Sequence, residues 1–126
     1  MMEGEVTAQR EAVVSLKLHG KNGLEIIINA VIDTGFTDNL TLPSSIINEC
    51  GYPFVMTGDA QLADGGIIEF NIHRATILWN GELRKVLVHA AECTSLLGMS
   101  LLYGSLVTLH VVDGGQVTIQ PDFMDS

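Results

Sequence analysis

The stretch Val31-Ile32-Asp33-Thr34-Gly35 decides the fold of this chain. It ends the apolar run Ile26-Ile27-Ile28-Asn29-Ala30-Val31-Ile32 and leads into Leu40-Thr41-Leu42-Pro43. A run so rich in β-branched residues reads as a strand, and its near-continuous apolar character predicts burial on both faces. A carboxylate is thus delivered from the interior of a sheet onto a tight Thr-Gly turn.

Upstream, Val13 to Leu18 alternates in part, and His19-Gly20-Lys21-Asn22-Gly23 supplies turn residues. Leu24 to Ile32 is then the return strand of a hairpin. Met1 to Arg10 is polar and reads as a flexible or edge-pairing arm. Downstream, Leu40-Thr41-Leu42 is a short strand and Pro43 to Cys50 a short helix, with Pro43 or a serine near its start and Gly51 placed to end it. Ile46, Ile47 and Cys50 share one face of that helix, which assigns Cys50 to the core.

Thr57 to Leu62 and Ile67 to Ile72 flank Ala63-Asp64-Gly65-Gly66 as a second hairpin. Ile68, Phe70 and Ile72 alternate there with Glu69, Asn71 and His73, giving one wet face. The strand continues through Ile77-Leu78-Trp79, turns at Asn80-Gly81 and returns as Leu83 to Ala90. Thr94-Ser95 leads into Leu96-Leu97-Gly98 and a short helix from about Met99 to Tyr103. Leu106 to Val112 and Gln116 to Ile119 form a last hairpin around Asp113-Gly114-Gly115. The order of elements repeats, with Asp33-Thr34-Gly35 in the first copy and Leu97-Gly98 at the equivalent place in the second.

A length of 126 residues is that of one domain, spanning 1–126 with 1–10 and 121–126 as terminal arms, and 47% hydrophobic residues suffice for a core. Six basic against fifteen acidic residues give a net charge of −9. That balance argues against nucleic acid and anionic membrane surfaces as partners; an acidic surface attracts basic peptides, although its commoner meaning is solubility. Met1-Met2-Glu3-Gly4-Glu5 is acidic without the apolar segment of a secretory signal, and no apolar run approaches the roughly 18 residues of a membrane span. Cys50 and Cys93 lack C-x-x-C spacing, so the cytoplasm, with reduced thiols, is the expected compartment.

Other chemistries find little support. His19, His73, His89 and His110 are scattered without metal-ligand spacing and read as surface or structural residues, so neither metal nor organic cofactor is expected. No G-x-S-x-G is present, and Cys50 and Cys93 sit in no nucleophile motif. Gly65-Gly66 and Gly114-Gly115 lack the Lys-Ser/Thr that completes a phosphate loop, and Asp122 to Asp125 shows no calcium-loop pattern.

Two anchors remain: hydrophobic-hydrophobic-Asp-Thr-Gly, Val31 to Gly35, and hydrophobic-hydrophobic-Gly, Leu96 to Gly98. In order and separation they resemble those of a retropepsin-like aspartic protease of the single-lobe bacterial and archaeal branch. The resemblance runs from about Val13 to Ile119. It implies a mostly-β, closed β-barrel or sandwich half-lobe with two short helices. It also implies Asp33 as the catalytic residue, Thr34 and Gly35 as support of its loop, and Leu96, Leu97 and Gly98 as a buttress. Ala63, Asp64, Gly65 and Gly66 would be the tip of a flap over an extended peptide, the other reading being an ordinary β-turn.

One Asp-Thr-Gly supplies half of a two-carboxylate dyad, so a homodimer acting on a peptide or protein substrate is expected, with one Asp33 from each subunit. Phe36 departs from the pattern, because many relatives carry a small or hydroxyl residue there that bonds the outer carboxylate oxygen. The expected activity is that of an aspartic-type endopeptidase. The alternative is a protease-like dimerisation or peptide-binding module with weak or no turnover. For Asp33 itself the alternative is a turn aspartate that satisfies nearby backbone amides.

Overall fold

The computed structural model describes residues 1–122. In chain order the strands are β1 (Met2–Val6), β2 (Ala12–His19), β3 (Glu25–Ile32), β4 (Leu40–Leu42), β5 (Phe54–Gln61), β6 (Ile67–Trp79), β7 (Glu82–Ala90), β8 (Leu96–Leu97), β9 (Ser105–Leu109) and β10 (Gln116–Pro121). Two short helices, α1 (Ser44–Cys50) and α2 (Met99–Leu102), follow β4 and β8. The protein is mostly β, with 55% strand and 11% helix.

Turn chemistry sets the registers. Asn80 and Gly81 both take left-handed φ, 50° and 84°. A two-residue turn of that kind matches the right-handed twist of the strands it joins. It fixes the β6–β7 pairing from Trp79↔Glu82 down to Ile72↔His89. Helix α1 starts from Pro43 in an extended conformation and stops at Gly51, whose φ of 72° lets its N–H reach back to the Asn48 and Ile47 carbonyls. Its inward face carries Ile47 and Cys50, both buried.

All ten strands join one sheet in the order β5-β6-β7-β4-β8-β3-β2-β1-β10-β9, and a further β6–β2 pairing brings the sheet back on itself. The core fills the enclosed side with Leu16, Leu18, Leu40, Ile77, Val88, Leu97 and Ile119, all fully buried. Two pairings are parallel, β3–β8 and β4–β7, and both lie beside the Asp33 turn.

Two expectations are corrected. Residues Met2–Val6 are not an arm: they form an interior strand, paired with β10 on one side and β2 on the other. Gly4 sits where a Cβ would lie 1.9 Å from the Val13 carbonyl oxygen, so only glycine fits. Nor is β3 buried on both faces. Glu25, Ile27 and Asn29 point outward, with Ile27 66% exposed. On that face the Ser15 hydroxyl donates to Asn29 Oδ1 at 3.3 Å, and the surface is open to solvent. At the other end Pro121 closes β10, while 123–126 of the expected C-terminal arm lie outside the described residues.

Candidate active site

Asp33 follows β3 at the point where the strand runs out of partners on one side and gains β8 on the other. Its N–H donates to the Leu97 carbonyl at 2.9 Å, and its own carbonyl accepts the Phe36 N–H at 3.1 Å. Its Oδ1 accepts the Gly35 N–H at 2.9 Å, folding the turn around the carboxylate. Asp33 is half-buried, whereas Thr34 and Gly35 are exposed. The carboxyl group therefore stands at the rim of the fold, held by backbone and reachable from solvent.

The second anchor meets the first. Strand β8 runs parallel to β3, with Val31↔Leu96 and Ile32↔Leu97, and antiparallel to β4 through Leu40↔Leu97. Beyond it, Gly98 N–H donates to the Asn39 carbonyl, Met99 N–H to Phe36 and Ser100 N–H to Asp38. The Ser100 hydroxyl donates to the Thr37 carbonyl. The loop from Phe36 to Asn39 is thus stitched to the start of α2 along its length.

A buried side chain adds to this clamp: the Thr41 hydroxyl accepts the Leu96 N–H at 2.8 Å. Thr41→Val keeps the volume but leaves that N–H without its acceptor. We expect a loss of about 1–3 kcal/mol in denaturant unfolding.

The segment Ala63, Asp64, Gly65 and Gly66 forms the tip of the β5–β6 hairpin. Leu62 N–H donates to the Gly66 carbonyl, Gly66 N–H to Asp64 Oδ1, and Gly65 takes a φ of 90°. From Ile67 to Asn71, β6 pairs with β5 alone, so the outer half of the hairpin extends past the end of β7. It carries exposed apolar side chains, Leu62, Ile67 and Ile68 among them. No hydrogen bond joins its tip to the Asp33 turn among the described residues.

Sequence reasoning missed a cluster at the root of this hairpin. The His89 ring stacks on Phe70 (centroids 4.4 Å apart, planes 27°) and meets the edge of Phe36 (5.5 Å, 77°). Its Nε2 lies 3.4 Å from Asp38 Oδ2. Burial lowers the His89 pKa below its ordinary value, and the Asp38 charge offsets this only in part. The usable signal was the Asn80-Gly81 turn, because counting outward from it places His89 opposite Ile72.

On the other side of the Asp33 turn, Ile32, Thr34, Met99, Tyr103, Val107 and Leu109 line a largely apolar groove of about 430 Å³. Strand β9, which bounds it, is the last of the sheet, with one edge unpaired among the described residues. Among those residues no group of three or more His, Cys, Asp or Glu side chains converges as a metal site, and no helix is long and apolar enough to cross a membrane.

No protein-family model matches the chain, and no curated protein does. Among solved structures, the fold is similar to the crystal structure of a retropepsin-like aspartic protease from Rickettsia conorii. The superposition has a TM-score of 0.59 and 16% sequence identity, and it covers 94% of this chain and 88% of that one. A likeness at that identity bears on architecture. The chain has a retropepsin-like fold.

Proposed function

We propose that this protein is a homodimeric aspartic endopeptidase, with one Asp33 from each subunit forming the catalytic pair. The observation that carries the reading is the setting of Asp33: a rim-exposed carboxyl on a backbone-clamped turn, buttressed by Leu96, Leu97 and Gly98 within a retropepsin-like fold. In the pair, one carboxylate is ionised and takes a proton from water as the water attacks the peptide carbonyl carbon. The other is protonated and donates to the carbonyl oxygen, and a proton then reaches the leaving amine. Thr34 braces the two loops, and Gly35 leaves room for the partner loop or the peptide. The β5–β6 hairpin, with Ala63 to Gly66 at its tip, covers an extended peptide. The acidic balance of the chain favours basic peptides, and the free thiols of Cys50 and Cys93 suit a reducing cytoplasm.

The apolar groove beside Thr34 is the natural dimer face, because a two-fold axis there sets the two Asp33 turns against one another. Leu109→Lys places a charge in it twice, once per subunit. Each buried leucine contributes about 1.5–3 kcal/mol, so the dimer should weaken at least about a hundredfold. Sedimentation would show monomer, and cleavage would fall with it. A variant that stays dimeric removes this face from the proposal.

The second reading, a peptide-binding module without turnover, draws on two observations. The Gly35 amide already occupies Asp33 Oδ1, as it would in a plain turn, and Phe36 offers no hydroxyl to the carboxyl group. The deciding experiment incubates wild type and Asp33→Asn with a diverse peptide library from about pH 4 to about pH 7, reading cleavage by mass spectrometry. Cleavage by wild type alone supports the enzyme. Peptide binding by both without cleavage supports the module.

A further inference from the structure

His89 stands where the projecting hairpin leaves the body of the sheet. Ile72↔His89 is the outermost β6–β7 pair, and beyond it β6 has only β5 beside it. Just there β5 is irregular, with a register shift between Phe54 and Met56 of the kind that lets a strand bend. Phe70 is the first hairpin residue past this root on the same face as Ile72. It is pinned from behind at Gly58, where a Cβ would lie 2.6 Å from its ring. On the body side, Phe70 stacks on the His89 ring. His89 in turn touches the Asp33 loop twice, edge-on through Phe36 and by its Nε2 near Asp38.

We infer that His89 is a positioning residue: its neutral ring couples the β5–β6 hairpin to the Asp33 loop, and its protonation uncouples them. The groups facing it decide the sign. Asp38 is the charged group within ion-pair distance, and it favours the imidazolium. The β6 side presents Phe70 and Ile72, and β4 presents Thr41 opposite, none of which ionises; Arg74 shares that face of β6 one pair further in, opposite Leu87, and its charge opposes the imidazolium. Glu69 and His73 alternate to the other face of β6. Burial outweighs Asp38, so the closed arrangement binds a proton less readily than one in which the ring is solvated. Acid therefore favours the open hairpin: the coupling is complete above the ordinary histidine range and is lost as pH falls from that range through the lowered pKa of the closed ring.

The functional consequence rests on the protease reading, in which the hairpin covers the cleft, but the test does not. Amide hydrogen exchange of residues 57–71, corrected for intrinsic rates, is compared at about pH 7.5 and about pH 5, with β1 and β10 as internal reference. In wild type the hairpin should exchange about threefold or more faster, relative to that reference, at the lower pH. His89→Phe keeps a ring between Phe36 and Phe70 but cannot titrate, so its hairpin should exchange alike at both. Phe70→Ala should exchange fast at both. An unchanged wild-type hairpin, or a His89→Phe hairpin with the wild-type dependence, overturns the inference. Should His89→Phe not fold, the wild-type His89 ring resonance decides, since its midpoint must coincide with that of hairpin exchange, and separate midpoints overturn the idea. Equal cleavage by wild type and Asp33→Asn would sink the protease reading and leave these exchange rates untouched.

Discussion

On the proposed protease function, Asp33→Asn is expected to fold and dimerise like wild type while peptide cleavage falls by about 10³-fold or more. The side-chain amide keeps the oxygen that accepts the Gly35 N–H at 2.9 Å, so the turn has no reason to rearrange. The Leu97 carbonyl still receives the residue 33 N–H, and the clamp from Gly98 to Ser100 does not involve the side chain at all. What is lost is chemical: a carboxamide neither takes a proton from water nor shares one with its copy. In a symmetric dimer the substitution removes both carboxyl groups together, which leaves no residual acid or base at the axis. Cleavage by the variant at the wild-type rate would make Asp33 a turn aspartate and nothing more.

Gly98→Ala should lower stability by about 3 kcal/mol or more, read as a fall in melting temperature of roughly 10 °C. The cause is not backbone conformation, because φ of −100° and ψ of 176° suit any residue. It is space. A Cβ would lie 2.1 Å from the Asp38 carbonyl oxygen, 2.8 Å from that of Phe36 and 2.7 Å from the Phe36 ring. Two of those atoms are backbone, so the loop itself has to move, and with it the hydrogen bonds that hold Asp33's turn. A thermal scan that matches wild type would mean the buttress yields more easily than its geometry implies.

How much of this was legible in the sequence depends on the range of the interaction. Local chemistry read well: Pro43 and Gly51 do bound α1, Asn80-Gly81 does make a turn, and Leu96-Leu97 is a strand of two residues that ends at glycine. The juxtaposition of the Asp33 turn with Leu96 to Gly98 followed from the family resemblance rather than from pattern, because nothing local tells two parallel strands to pair. Ile27 misled because a run of isoleucines looks the same whether one sheet face or both are covered, and here only one is. Met2 to Val6 misled in the opposite way. Glu3 and Glu5 face outward while Met2, Gly4 and Val6 face in, and an alternation this short, rich in acid, reads as tail unless its distant partner is known. His89 was passed over because one histidine carries no spacing signal. Its meaning lies in Phe36 and Phe70, which reach it from separate elements.

The placement of β1 also bears on how the protein acquires its structure. Met2 pairs with Ile119 and Glu5 with Gln116, so the first strand is stitched to the last. Contacts of such separation carry a high loop-closure cost and slow folding. As the chain leaves the ribosome, β2–β3 and β6–β7 can zip early through their short turns, and β1 can lie along β2. The other edge of β1 then stays bare until β10 emerges. Its arrival covers that edge of β1, and until then the growing chain offers it to a chaperone or to another nascent copy.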